Sequence, residues 1–462
     1  MRSRPLLLLT AIVASLTLSP GNRLDSPAHS QVRNGEIEQS ATSKPKKYVN
    51  AQESEKIAEA FRKANKAFEK EDYKAGAESL MTAYLINPED DLIINFIAES
   101  YAMIGDHSAL FMWLRRLLTV SPCFFHYPET AASVLNSREY RELAIAAKAK
   151  ETRMHGSKLA FMLSETDLIP EGIAYDPRDK VFFLSSLHKR KIVRVRVRTR
   201  HRSPIVEDFA SQGQDGLYST PGMKVDAERR VFWVCSSAES FMKEYSESDA
   251  GKAGLFKYDL NTKKLIRKYE VGPNPRHLLN DIALNAEGDV FVTDTATGEI
   301  FTVRHEKDEL EIFIPAGRFE SPNGIAISND GRKLFISDLP FGVYVVDLKT
   351  KRSERLPQSV GISPSGSDGL YFFDNSLIGI INIVSERNGR VARFYLDGSA
   401  KAVTHAAALD CNHRLYQWPT TGVMVGDSFF YIANSQFGSF NSEQRTFPQK
   451  SLRKVAVMRL KL

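Results

Sequence analysis

The sequence predicts an all-β six-bladed propeller preceded by an α-helical tetratricopeptide-like repeat region. After about Lys158 the apolar residues change from helical spacing to alternation. Six segments then repeat one pattern: a short apolar strand, a turn with Asp, Asn or Gly, and a second apolar strand. They start at Glu171, Pro221, Asn280, Asn323, Asp368 and Thr421, about 43 to 59 residues apart, the length of one four-stranded blade, and six such units close a ring. Ahead of them, two helical stretches end on prolines 34 residues apart, at Pro88 and Pro122.

The chain of 462 residues is too long for one compact domain of ordinary size. Residues 1–20 read as a secretory signal, with Arg2 and Arg4 ahead of the apolar run Leu6–Leu18. That run is short for a bilayer span, and no cysteine follows it to carry a lipid. Export, to the periplasm or beyond, is the expectation, with an uncleaved anchor as the alternative. No other segment is long and apolar enough to be an integral span. Residues 21–52 are rich in Ser, Asn, Pro, Glu and Lys without apolar period, the composition of a disordered linker.

Residues 53–155 are expected to form the helical repeat region. Lys63–Pro88 and Ile97–Pro122 each carry an early small residue (Ala64, Ala98), an acidic turn (Asp72, Asp106) and an apolar stripe in the second helix. Both resemble tetratricopeptide repeats, with a degenerate third unit from Ala131 to about Lys150. Such units either support the propeller or offer a protein partner a groove. Residues 160–462 are the expected propeller. Within it, Lys191–Arg198 (KIVRVRVR) reads as an outer strand whose arginine side faces solvent and protects an edge.

Composition narrows the function. The net charge of +6 is small for this length and gives no argument for nucleic acid. Three cysteines, Cys123, Cys235 and Cys411, without C-x-x-C spacing exclude a disulfide scaffold and a zinc knuckle. At most one intramolecular pair can form, and buried thiols acting as small apolar residues are the plainer reading.

The residue that opens each repeat precedes the innermost strand of its blade, so six such residues face the central channel at one end. Glu171, Asn280, Asn323 and Asp368 among them are oxygen donors. A hard cation such as calcium takes oxygen ligands, and two carboxylates with two amide carbonyls would neutralise its charge without excess. No histidine or cysteine stands at an equivalent position, which argues against zinc or copper there. The second strands end at the same face, on Ser185, Ser236, Asp294, Asp338, Asn382 and Asn434. Taken singly, each of these is as well explained by a turn.

Pro170–Gly172 (P-E-G), Asn280–Asp281 (N-D), Ser321–Gly324 (S-P-N-G) and Ser367–Leu370 (S-D-G-L) resemble the regucalcin/gluconolactonase family and the related paraoxonases and diisopropyl fluorophosphatase. The resemblance runs from about Leu168 to Leu462 and leaves the helical region outside it. It implies a six-bladed propeller whose channel calcium is held by Glu171, Asn280, Asn323 and Asp368. It departs at Gly172, where paraoxonases place an Asp for a second calcium, so that Asp281 alone would remain of that site. Arg276 and His277 lie near the family's substrate-contacting arginine but in a different register.

The expected function is calcium-dependent hydrolysis of a lactone or related ester, with another divalent cation as an alternative metal. The cation would polarise the carbonyl, and a carboxylate would take the proton of the attacking water. Asp368 is the first candidate base, with Asp294 and His277 behind it. No G-x-S-x-G elbow suggests a serine nucleophile. The alternative is a non-catalytic, metal-stabilised propeller acting as an exported binding module through its helical repeats. An open, wet cavity around the metal favours hydrolysis, and a plugged channel favours the module.

Overall fold

Strands with one apolar face gain most when sheets stack face to face around an axis, and this chain builds six such sheets. The structure is a computed structural model that describes residues 48–121, 123, 134–151, 154–198, 203–339, 341–359, 361–385 and 388–462. The expected signal, most of the expected linker, Pro122 and the start of the third repeat unit lie outside the described residues.

Blade 1 comprises Ile173–Asp176, Val181–Ser186, Lys191–Arg196 and Ile205–Ala210. Blade 2 comprises Met223–Asp226, Val231–Ser237, Ala253–Asp259 and Leu265–Val271. Blade 3 comprises Leu279–Leu284, Val290–Asp294, Ile300–Val303 and Leu310–Ile314, and blade 4 comprises Pro322–Ile327, Lys333–Asp338, Gly342–Asp347 and Ser353–Arg355. Blade 5 runs outward through Ser367–Phe373, Ser376–Ser385, Asn388–Leu396 and Val403–Cys411. Blade 6 takes Gly422–Val425, Ser428–Ile432 and Val455–Lys461 from the C-terminal end of the chain and its outermost strand, Lys158–Leu163, from the start of the propeller. Both ends of the propeller chain therefore lock the ring. Each innermost strand packs against the next, and the sixth against the first.

Blade 5 is wider than the others. Gln358–Ser359 pairs parallel to its outer strand, and Tyr48–Val49 pairs antiparallel to Gln358–Ser359. Part of the stretch expected to be linker is thus a strand, because Tyr48 and Val49 find an open sheet edge. Lys191–Arg196 is the third strand of blade 1, not its edge, which is Ile205–Ala210. Its Arg194 is paired with Glu207 at 2.8 Å and Asp179 at 3.4 Å instead of guarding an edge alone.

Among the described residues five helices precede the ring: α1 (Ala51–Phe68), α2 (Tyr73–Ile86), α3 (Asp91–Ile104), α4 (His107–Val120) and α5 (Arg138–Glu151). Asn50 and Glu53 form a capping box on α1. Asp72 and Asp106, the acids of the two expected turns, are the N-caps of α2 and α4, accepting from Ala75 N and Ala109 N. Successive helices pack as hairpins. Leu80 is fully buried and Tyr73 packs on Phe68, with ring centroids 6.2 Å apart.

The helices and the ring share one core. Leu92, Ile93, Phe96 and Ile97 of α3 belong to the same apolar cluster as Phe335 of blade 4 and Ala392, Phe394 and Leu396 of blade 5. Asp91 and Arg390 form an ion pair across this contact, both fully buried. Arg355 reaches Glu55 of α1 at 2.9 Å, and Arg62 pairs with Glu320.

Removing one partner of a buried pair strands the other charge. Asp91→Ala should therefore cost about 3–5 kcal/mol in urea unfolding, whereas Lys63→Ala, which breaks an exposed pair with Glu59, should cost under about 1 kcal/mol. Burial alone pushes the Glu99 carboxyl of α3 up to about 8. The unfolded chain releases that proton near the ordinary value of 4.5, so the folded state binds more protons between these values and stability falls as pH rises through them. Unfolding measured at pH 5 and pH 8 should show a smaller loss for Glu99→Gln than for the parent chain.

Candidate functional site

The start of each innermost strand is set by two constraints, the polar end of the neighbouring second strand and the backbone of the next blade. In blade 1, Ser185 accepts from the amides of Gly172 at 2.7 Å and Glu171 at 3.4 Å. The Glu171 carbonyl accepts from Thr420 at 3.1 Å and from Thr421 of blade 6. In blade 4, Asp338 accepts from the amides of Ser321 at 2.6 Å and Glu320 at 3.1 Å. In blade 3, Asp294 accepts from Leu278 N at 3.0 Å. The second-strand ends thus act mainly as stitches that aim the first-strand starts at the axis. A side chain at Gly172 is excluded, because a Cβ there would overlap the Pro221 carbonyl oxygen of blade 2. No carboxylate can follow Glu171 in this backbone.

Glu171, Asn280, Asn323 and Asp368 all line one cavity at this end of the channel, of about 680 Å³ with the open mouth included. Pro221 and Asn382 line it too, with Ser219, Ser237 and Glu239 on its polar side and Leu187, Phe241, Leu278 and Phe437 on its apolar side. The Asn280 amide nitrogen donates to Thr295 Oγ1 at 3.0 Å, which leaves its carbonyl oxygen as the free donor atom. The Asn323 carbonyl oxygen is buried without a hydrogen-bond partner among the described residues. Asp368 Oδ2 accepts from Asn382 Nδ2 at 2.7 Å.

Among the described residues no basic group offsets Glu171 or Asp368. Burial, then the charges of Asp368, Asp281 and Glu239, hold the Glu171 carboxyl well above the usual carboxylate range. Burial pushes Asp368 up to about 6, opposed by the Asn382 hydrogen bond and reinforced by Asp281. Asp281 is itself raised by burial, against Lys224, and its carboxylate accepts from the amides of Ile282 at 2.8 Å and Ile325 at 3.3 Å. An orphaned carbonyl oxygen beside two mutually repelling carboxylates, with an all-oxygen donor set, fits a calcium ion.

The other two candidate bases lie behind this wall. Asp294 is fully buried, and neither it nor His277 lines the cavity. Asp294 Oδ1 also accepts from Ala296 N at 3.0 Å and Thr297 N at 3.2 Å, and Oδ2 holds His277 Nδ1 at 2.5 Å. That hydrogen bond raises the His277 pKa, against burial. With Glu299 these two bring three ligand atoms within 4.8 Å of one another, but Asp294 is already saturated by donors, and Glu299 accepts from Thr297 Oγ1 at 3.2 Å.

The repeat pattern does not point to Glu239 or to the aromatic rim. Arg276 Nη2 holds Glu239 at 2.8 and 2.9 Å. Glu239 and Phe241 sit on the long connection between the second and third strands of blade 2, and Phe437 on the corresponding connection of blade 6. The length of these two connections is the one signal the sequence carries for them.

Glu171→Gln should raise the unfolding temperature of the metal-free protein, because it takes one charge out of a buried acidic cluster. The same variant should lose the stabilisation that calcium gives the parent, about 2.7 kcal/mol at a hundredfold excess over Kd. Thermal unfolding with calcium and with chelator checks both.

A stretch of 164 residues is 28% identical to Antigen Lp49 of Leptospira interrogans serogroup Icterohaemorrhagiae serovar copenhageni (strain Fiocruz L1-130), covering 31% of this chain and 34% of that protein. The match therefore spans about a third of that relative's length. Among solved structures, a calcium-binding protein, regucalcin, from Agrobacterium tumefaciens str. C58 is similar at 16% identity and a TM-score of 0.43, over 65% of this chain and 93% of that one. A luciferin-regenerating enzyme is similar at 12% identity and a TM-score of 0.43, over 66% of this chain and 96% of that one. Virginiamycin B lyase from Staphylococcus aureus is similar at 12% identity and a TM-score of 0.41, over 60% and 81%. The family model for the SMP-30/Gluconolactonase/LRE-like region matches residues 169–408, more than half of the chain and five of its six innermost strands, and the chain belongs to that family.

Proposed function

We propose that the protein is a calcium-dependent hydrolase of a lactone or related ester, acting at the channel mouth. The observation that carries this reading is the unpartnered Asn323 carbonyl oxygen beside the uncompensated Glu171 and Asp368 carboxylates, in a cavity that opens to solvent. Membership of a family whose name includes gluconolactonase supports the reaction class. Glu171, Asn280, Asn323 and Asp368 would hold the ion, which when bound supplies Lewis-acid polarisation of the substrate carbonyl and stabilises the developing oxyanion.

Asp368 serves as the general base as well as a ligand. Asn382 fixes its Oδ2, which orients the carboxylate toward the cavity where the attacking water would give up its proton. His277 and Asp294 act as a positioning pair behind Leu278. The wall of Leu187, Phe241, Leu278 and Phe437 suits a substrate with an apolar substituent on its ring or acyl chain. Glu239, neutralised by Arg276, offers the polar side of the pocket an acceptor.

A second reading, a binding module that recruits a protein through the helices, is favoured by the exposure of Leu85, Met112 and Ile145 on α2, α4 and α5. Against it, the helices share their core with blades 4 and 5, which gives them a supporting role without any partner.

The deciding experiment is a panel of aliphatic and sugar lactones, aryl esters and phosphotriesters, assayed with calcium and with chelator. The parent should hydrolyse at least one lactone only with calcium. Asp368→Asn should lower kcat by about 10²–10⁴ even at saturating calcium. Full recovery at excess calcium would make Asp368 a ligand alone. A parent inert on every substrate with calcium bound would hand the case to the binding module.

A further inference from the structure

Two of the three cysteines meet a methionine at the seam between helices and ring. Cys123 follows α4, Met154 follows α5, and Cys411 ends the outer strand of blade 5. Cys123 and Cys411 are fully buried, while Met154 keeps partial exposure. Cys123 Sγ is 3.9 Å and Cys411 Sγ 3.8 Å from Met154 Sδ. The two thiols are close enough that Cys123 raises the pKa of Cys411. Segments 31 and 257 residues from Met154 in sequence thus close a triangle of sulfurs.

We propose that Cys123, Met154 and Cys411 form a three-sulfur site for Cu(I) that clips the helical region to blade 5. The two edges that meet at Met154, 3.9 and 3.8 Å, are of the size that sulfurs sharing one ion span when each metal–sulfur distance is about 2.3 Å. Two thiolates and a neutral thioether are soft donors, which select Cu(I) over harder ions. Zinc asks for a fourth donor and favours thiolate or imidazole over thioether. Binding is not a redox step: one Cu(I) enters, both thiols release their protons, and the site gains a net charge of −1. Arg390, opposite Cys411 in the strand ladder, favours that charge, while the Glu151 carboxylate opposes it. The partly exposed Met154 is the entry side. A disulfide between the two cysteines would make no use of Met154, although both thiols point at its sulfur.

The test uses the full chain, reduced and kept free of oxygen, titrated with Cu(I) against a chromogenic Cu(I) chelator. The expected result is one tightly held equivalent, ultraviolet thiolate-to-copper absorption, and two thiols that become unreactive and return when copper is stripped. Met154→Leu, which keeps the volume of the side chain, should lose that equivalent while its thermal unfolding stays that of the copper-free parent. Cys411→Ser should lose it as well, and Cys235→Ala, remote in blade 2, should keep it. Retention of copper by Met154→Leu and Cys411→Ser overturns the proposal. So does a parent whose two thiols are recovered by reductant and not by chelator, which would make the pair a disulfide.

Discussion

Everything at the channel follows from how closely six innermost strands approach one another. The residue after each ring position has no room for a side chain: a Cβ on Gly172, Gly222 or Gly324 would overlap the carbonyl oxygen of Pro221, Asn280 or Asp368 in the next blade. Glycine is needed at these positions for close approach of backbones, not for an unusual dihedral. Strands packed this tightly leave the ring side chains one direction, toward the axis. Polar residues there must then satisfy one another or find a ligand. Asp281 is the exception among these second positions, and its carboxylate is absorbed by the amides of Ile282 and Ile325.

That geometry sets the electrostatics. Glu171 and Asp368 are brought together by the ring and not by attraction, with Asp281 and Glu239 near enough to raise Glu171 further. The basic groups nearby are otherwise placed. Arg276 is spent on Glu239, and Lys224 lies over the Tyr371 ring at the other end of the channel, where it lines a second cavity. A ring that gathers carboxylates while holding its cations to the side is unstable by itself and becomes favourable with a divalent ion. The fold and the proposed chemistry are one constraint in this sense, since the backbone packing that closes the propeller also gathers the carboxylates of the proposed metal site.

The ring was legible in the sequence because it is repeated. Each blade restates the same strand–turn–strand unit, so Glu171, Asn280, Asn323 and Asp368 align with one another on residue pattern alone, and they line one cavity. Glycine after the ring residue, as in P-E-G and S-P-N-G, is visible as a motif, while its cause, the carbonyl of the next blade, is a tertiary contact. What occurs once was not legible. Lys158–Leu163 closes blade 6 from the far end of the propeller chain, and no local pattern announces a partner at Val455–Lys461. Tyr48–Val49 has too few residues to show alternation. Glu239, Phe241 and Phe437 sit on connections outside the repeat, and their place at the mouth depends on loop packing, such as Phe241 against Phe440 with ring centroids 6.2 Å apart. Asp294 and His277 are visible as polar residues at the right end of the blade, but a residue pattern cannot say that backbone amides saturate Asp294.

The helical region belongs to the same mechanical unit. It is pinned at its start by Tyr48–Val49 on the edge of blade 5 and at its end by Lys158–Leu163 in blade 6. Between these anchors α3 buries Asp91 against Arg390 and lays Leu92, Ile93 and Phe96 on the apolar face of blade 5. A segment tied at both ends loses less entropy on docking than a free one, so modest contacts along α1 suffice to hold it. The cost appears in the polar groups buried with it. Asp90 is raised to about 7 and Glu99 to about 8, chiefly by burial. Blades 4 and 5, which contribute Asn323 and Asp368 to the channel, are therefore the blades that the helices cover, so that helical docking and the position of two proposed calcium ligands are set through the same sheets.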